Sequence, residues 1–309
     1  DLVSALKTTM VEGIDTLGGF TVPVDFQARI IERIQAQAIF RKYAMQNSTS
    51  KDMVEIPTVT GGDTQYTSAV RVTWVKEVPT AGASATNLTF GSEQIPIYTC
   101  MAETMISNNM LEDAMFDVES YLNRKIAEAA AIDEDNQFLT GNGLGKPQGI
   151  LPGGANSMSI TEKNSGNSSA LTWDGLVGLY YAIPSQYRAN ARWIASRGTY
   201  EAIAKLKDSS GQYLWTPFQF VGGANGNPAK LLGNETLEQE TMPSVGAGTY
   251  PILFGDLGGY EIYDRVGMTI RRYNDFSTDR VNSTAFVMRR RLGAQLTEKW
   301  RWAVQLVSA

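Results

Sequence analysis

Histidine is absent from the 309 residues, and cysteine occurs once, at Cys100. Without histidine there is no Ser-His-Asp or Cys-His triad, no imidazole general base and no imidazole ligand for zinc. A single thiol excludes an intrachain disulfide and any cysteine-built zinc or iron–sulfur site. Charge is also sparse. Lys plus Arg number 27 against 32 Asp plus Glu, a net charge of −5, which argues against a basic nucleic-acid-binding chain. No apolar run approaches the ~18 residues of a membrane span, and the opening Asp1-Leu2-Val3 carries no signal-like apolar core. The expectation is a chain with no membrane segment and no cofactor. Carboxylate, lysine and hard-metal chemistry remain open. Hydrophobic residues make up 43%, enough for one large domain or two ordinary ones.

The first 23 residues are small and polar and end Gly18-Gly19-Phe20-Thr21-Val22-Pro23, which reads as an arm. Phe26, Ile30, Ile31, Ile34 and Ile39 follow at helical spacing and predict an amphipathic helix to about Tyr43. Val54, Ile56 and Val59 predict a strand. Gly61-Gly62-Asp63 predicts a turn, Val70, Val72, Trp74 and Val75 a second strand, and Leu88-Thr89-Phe90 a third. The segment 51–92 therefore reads as a long hairpin with too little apolar content to fold alone. The region 103–139 reads as helical, opened by Asp113 or Asp117 and stopped by Gly141-Asn142-Gly143. Beyond it the pattern is mixed. Helices are expected at Trp173–Ile183 and Gly198–Lys207, and strands at Ala191–Ala195 and Pro251–Asp256. A strand pair is expected at Tyr260–Val266 and Met268–Arg272, then strands at Ala285–Leu292 and Gln295–Leu306. In the last, Trp300, Trp302, Val304 and Leu306 share one face.

Gly141-Asn142-Gly143-Leu144-Gly145-Lys146-Pro147 lacks the Walker spacing, has Pro147 where a hydroxyl is needed and follows a helix, so it reads as a helix stop. Arg289-Arg290-Arg291 on a strand cannot all face one way, and salt bridges to nearby acids are expected. Asp133-Glu134-Asp135 reads as a solvated helix face, and Cys100 as a small buried strand residue. An enzyme such as a glycosidase needs two carboxyls about 5–9.5 Å apart in one cleft, and no spacing nominates a pair.

Several segments resemble the major capsid protein family of tailed bacteriophages. They are Gly18–Pro23 before the Ile-rich helix, Asp135–Gly143 followed by Lys146-Pro147-Gln148-Gly149-Ile150-Leu151, Leu206–Leu214, and Phe254-Gly255-Asp256. The resemblance implies an α+β, HK97-like capsid fold. Residues 1–50 would form the N-terminal arm and helix, and 51–92 the E-loop. Residues 93–145 and 262–300 would form a P-domain with a long spine helix, and 146–261 and 301–309 an A-domain. It implies self-assembly through hexamers and pentamers into a shell around double-stranded DNA held without specific binding. Its implied partners are a portal, a scaffold or maturation protease and a decoration protein. A leading segment removed before Asp1 would fit a maturation cleavage. Virion location, after assembly in the host cytoplasm, also follows from the resemblance. Interface candidates on this basis are Arg271, Asp275, Asp279 and Arg280 near a local three-fold axis, with Lys76 and Glu77 in the E-loop. Family members that cross-link covalently use Lys, Asn and Glu. Here Pro79–Thr89 has no lysine and Arg290 falls near the Glu position, so no isopeptide bond is expected. An encapsulin-type nanocompartment shell shares the fold and is the nearest alternative.

Overall fold

The computed structural model describes residues 39–60, 74, 89–114, 117–152, 160–215 and 230–307. The arm, most of the first predicted helix and the second predicted strand lie outside them. Helix α1 (Phe40–Tyr43) is a single turn that starts after Ile39 and ends where the predicted helix was expected to end. Strand β1 (Met45–Ser48) follows directly and pairs in parallel with β10 (Tyr260–Tyr273). Strands β2 (Met53–Thr60) and β3 (Thr89–Pro96) form a two-stranded antiparallel ribbon, as the alternation predicts.

Strand β4 (Tyr98–Ser107) comes next and runs five residues into the region 103–139 that was expected to be helical. Tyr98, Cys100, Ala102, Thr104 and Ile106 turn inward and the odd-numbered residues outward. A period of two overrides the helical reading up to Ser107. Short α2 (Asn108–Asp113) follows. The main helix, α3 (Val118–Thr140), spans 23 residues, about 35 Å at 1.5 Å per residue. Asp117 opens it by accepting the Ser120 N–H at 3.1 Å.

The stop at Gly141 is a return path. The chain doubles back so that Ile150 N–H donates to Phe138 O (3.1 Å) and Leu151 N–H to Leu139 O (3.0 Å), satisfying carbonyls that a helix end leaves open. Gly149 N–H donates to Gly141 O at 2.9 Å. A Cβ on Gly141 would meet Pro147 O at 2.1 Å, and one on Gly149 would meet Gly141 N at 2.5 Å. The glycines of this motif are there because two backbones touch.

A four-stranded sheet in the order β1-β10-β11-β4 carries α3 on one face; β11 is Ser283–Leu296. Ile126 and Ala130 of α3 pack on Phe286 and Met288, with Cys100, Ala102 and Ile106 beside them. Cys100 is half-buried; burial, then the nearby Asp133 and Glu134, push its thiol up, so it stays protonated. The expected strand pair at 260–272 is instead one 14-residue strand. Its register slips at Asp264/Val266 and Val266/Thr269 fall where the expected pair would have been divided.

The second sheet has six strands in the order β5-β12-β9-β6-β8-β7. They are β5 (Thr161–Asn164), β6 (Arg192–Ala195), β7 (Lys230–Leu231), β8 (Asn234–Glu238), β9 (Ile252–Gly255) and β12 (Trp302–Leu306). Helices α4 (Trp173–Ala182) and α6 (Arg197–Ala204) pack on Trp193, Phe254 and Ala303. Short α5 (Ser185–Arg188) lies between them. The other face, with Ile194, Leu253, Trp302 and Val304, meets Phe138 and Leu139 of α3 and Tyr260 of β10. Strand β12 is thus buried on both faces. Trp300 leaves the expected common face: it sits in a 3-10 turn, Lys299–Arg301, and is exposed.

Because the Gly149 Cβ would strike backbone rather than a flexible side chain, G149A is expected to cost about 1–3 kcal/mol or more. A denaturant midpoint of the purified subunit measures it, with the exposed-site control G178A, where a Cβ meets nothing within 4 Å.

Candidate functional site: the arm junction and the exposed sheet face

Ile126, Ala130, Glu134 and Phe138 recur every fourth residue on the buried stripe of α3. Glu134 therefore points into the molecule and is 5% exposed, and Asp135 beside it is 2% exposed. The solvated-face reading of 133–135 is overturned, because helical phase outweighs residue type here. Glu134 is flanked by Arg41 at 2.7 Å and Arg290 at 2.5 Å. Both arginines also reach Asp264, Arg41 at 2.8 Å and Arg290 at 3.2 Å. Two cations and two anions from α1, α3, β10 and β11 close a ring, so each buried charge has two opposite partners.

Of the three consecutive arginines, only Arg290 joins this ring. Arg289 points to solvent, and Arg291 pairs with Asp52, at the foot of β2. The expected divergence of the three is observed, and the acids for Arg290 are internal. Burial pushes Asp264 up, but the Arg41 and Arg290 guanidiniums outweigh it and hold the carboxyl below its ordinary value. Burial works against the charge on Arg41 as well, and its bonds to Asp264 and Glu134 more than compensate.

Asp135 does different work. Its carboxylate accepts the N–H of Ile39 and that of Phe40 (3.3 Å), capping α1 from a helix 95 residues away. Phe40, Phe138 and Tyr260 meet edge-on or tilted beneath it, with centroids 5.6–6.0 Å apart. Burial pushes Asp135 up to about 6, against the two backbone N–H groups that pull it down; Glu134 adds to the rise and Arg41 opposes it. The folded chain therefore holds this proton more tightly than the unfolded chain.

The opposite face of the four-stranded sheet carries no helix among the described residues. Its rows read Tyr273–Ala285–Met105, Arg271–Val287–Glu103 and Thr269–Arg289–Met101. Met101, Met105 and Tyr273 are exposed. At the far end, α7 (Phe276–Asp279) makes a tight tip, with Asp275 accepting the Thr278 N–H at 3.1 Å. The interface candidates Arg271, Asp275, Asp279 and Arg280 are all exposed around this tip. Phe276 projects there beneath the Arg280 guanidinium. Lys76 and Glu77 lie outside the described residues. A cleft of about 280 Å³ runs between β4, α3 and the 145–147 turn. Among the described residues no cluster of three His, Cys, Asp or Glu could hold a metal ion.

A family model for the phage capsid family matches residues 18–300. The chain belongs to the phage capsid family. It is 28% identical over 138 residues to the major capsid protein of Escherichia phage T5, covering 41% of this chain and 27% of that protein. It is 23% identical over 188 residues to the major capsid protein of Enterobacteria phage HK97, covering 60% of this chain and 44% of that one. The chain thus matches less than half the length of these two relatives. Among solved structures, the capsid of an empty GTA particle superposes with a TM-score of 0.80 at 27% identity, over 97% of this chain and 99% of that one. A Gordonia phage Cozz structure, at 15% identity and a TM-score of 0.65 over 96% and 94%, shares the fold. The α+β capsid fold expected from the sequence is the one observed.

Two measurements test the junction. E134Q leaves two arginines with one carboxylate and is expected to lose about 3 kcal/mol of subunit stability. The raised Asp135 predicts that stability increases as pH falls from 7 to 5, by about 1 kcal/mol, because protonation favours the folded state over that window. Asp264, held low, gives up its contribution only below about pH 4. Denaturation midpoints of the wild type and D135N at the two pH values should differ by this increment, which D135N lacks.

Proposed function

We propose that this chain is a major capsid protein that self-assembles into an icosahedral shell around a phage genome. The observation that carries the reading is likeness over nearly the whole length of the GTA capsid subunit, at 27% identity. On this reading residues 1–50 are the arm, 51–92 the E-loop, 93–145 and 262–300 the P-domain, and 146–261 and 301–309 the A-domain. The subunit is physically suited to the role. The β2–β3 ribbon has no third strand among the described residues, and Phe90 on it is exposed. A two-stranded ribbon of this kind gains stability by lying on a neighbour. Hexamers and pentamers are the assembling units, and Arg271, Asp275, Asp279 and Arg280 meet their counterparts around the tip of α7. The net charge of −5 suits a wall that holds DNA without clamping it. A portal, a scaffold or maturation protease and a decoration protein are the partners carried over from the family, together with removal of a leading segment. The shell is a structural protein with no catalytic role. The names of the relatives favour a genome container over a nanocompartment.

The shell is not cross-linked by isopeptide bonds. Residues 79–89 carry no lysine, and Arg290 is committed to Glu134 and Asp264, where it cannot act as a base.

Negative-stain imaging of the purified protein should show closed shells, hexamers or pentamers. A protein that stays monomeric under every assembly condition would refute the reading. On a denaturing gel, assembled particles should run as one band at the subunit mass; a ladder of multiples would sink the cross-linking statement alone.

A further inference from the structure

The cleft between β4, α3 and the 145–147 turn has no part in the shell-forming role. At about 280 Å³ it is close to the lower end of small-molecule sites. One wall is apolar, built from the Tyr98 ring, Pro147 and Leu292. The Tyr98 hydroxyl is already spent, donating to Gly143 O at 2.6 Å. The α3 wall is polar. Gln137 Nε2 donates to Asp133 Oδ1 at 3.1 Å, which fixes the way the amide points. Gln137 Oε1 is then closed off from bulk solvent with no donor among the described residues. A buried acceptor in that state costs about 1–3 kcal/mol until something donates to it.

The surrounding charge decides what that donor is. Glu134 lines the cleft too, but its oxygens are held by Arg41 and Arg290. Asp133 is exposed at the mouth and forms no ion pair among the described residues. Cys100 forms the floor. Asp133 and Glu134 each act on its thiol more strongly than Arg290 does, so the floor lies in a net negative field. Lys146 sits on the turn, across from α3.

We infer that the cleft binds a primary alkylammonium group, with its N–H donors on Asp133 and Gln137 Oε1 and its carbon chain along Tyr98, Pro147 and Leu292. A charged donor to a carboxylate makes the stronger class of hydrogen bond. An aliphatic stem on an ammonium covers apolar surface while its head stays on polar groups. Water or an alcohol donates to Gln137 Oε1 but brings no charge to Asp133. An anion meets Lys146, yet it faces Asp133 and leaves Gln137 Oε1 unpaired. The site stands apart from assembly, and a subunit that never forms shells tests it equally well.

Cys100 is the chain's single thiol, so its alkylation rate reports occupancy of the cleft. The full chain is labelled at one pH with pentylamine, 1-pentanol or pentanoate at millimolar concentration. Pentylamine should slow labelling severalfold, and the neutral and anionic analogues should not. D133N and Q137L should each raise the concentration for half-protection about tenfold, as loss of a charge-assisted or buried hydrogen bond predicts. K146A, which removes a like charge, should lower it. Each variant is compared with its own rate without amine, because Asp133 also acts on the thiol. Nα-acetyl-lysine amide separates two sources of the group. Protection by it at similar concentration assigns the site to a lysine side chain of another chain, and protection by pentylamine alone assigns it to a free amine. No slowing by pentylamine, equal slowing by 1-pentanol or pentanoate, or wild-type half-protection in both D133N and Q137L would each overturn the inference. The comparison of the three ligands uses the wild type and holds even where a variant fails to fold.

Discussion

The ring of Arg41, Glu134, Asp264 and Arg290 is the contact on which the rest of the subunit depends. Its members come from four elements that are far apart in sequence. Removing any one leaves an opposite charge short of a partner in a partly or fully buried site, and that penalty exceeds the worth of a surface ion pair. The ring therefore fixes one relative placement of α1, α3 and the four-stranded sheet. Asp135 extends the same control to the chain upstream, because the first turn of α1 finds its cap on α3. A long helix could pack on a sheet in several registers by apolar contact alone. A closed set of opposite charges admits only one.

The second sheet is tied to this frame by the return path after α3. Gly141 and Gly149 let the chain fold back against the helix end, and Phe138, Leu139, Ile150 and Leu151 then enter the core shared by both sheets. The β12 strand completes the junction. Trp302 and Val304 face that shared core, while Ala303 faces the α4 and α6 side. One strand buried on both faces joins the two layers through a common core.

Most of the elements were legible in the sequence, and the failures have specific causes. Capping by Asp117, the stop at Gly141 and the two-residue alternation in β2 are local signals, and local physics decided them. The segment 103–107 was misread because Glu103 to Ile106 contains good helix formers, and only the inward run Cys100, Ala102, Thr104 and Ile106 reveals the period of two. Glu134 was misread for the opposite reason. Its neighbours are charged, so composition says solvent, whereas the four-residue steps from Ile126 to Phe138 say interior. The steps were visible; the partners Arg41, Asp264 and Arg290 were not, because only the fold brings them together. The interface candidates around α7 were nominated by resemblance, since nothing in spacing distinguishes a contact charge from any other surface charge.

On the proposed capsid reading, the division of charge separates what shapes the subunit from what would join it to others. Its internal charges are paired within the chain, and they set the shape. The outer charges around α7 and on the β4 face are solvated, and each is worth at most about 1 kcal/mol when paired. They select register and orientation more than they supply binding. On the proposed capsid reading, the strength of contact between subunits comes from what the described residues leave open: the apolar side chains of Trp74, Phe90, Met101 and Met105, and the backbone along β4 that faces away from β11. These contribute only when another surface covers them. On that reading, strong electrostatics inside set the shape of the subunit, and hydrophobic and backbone groups outside await a partner of matching pattern.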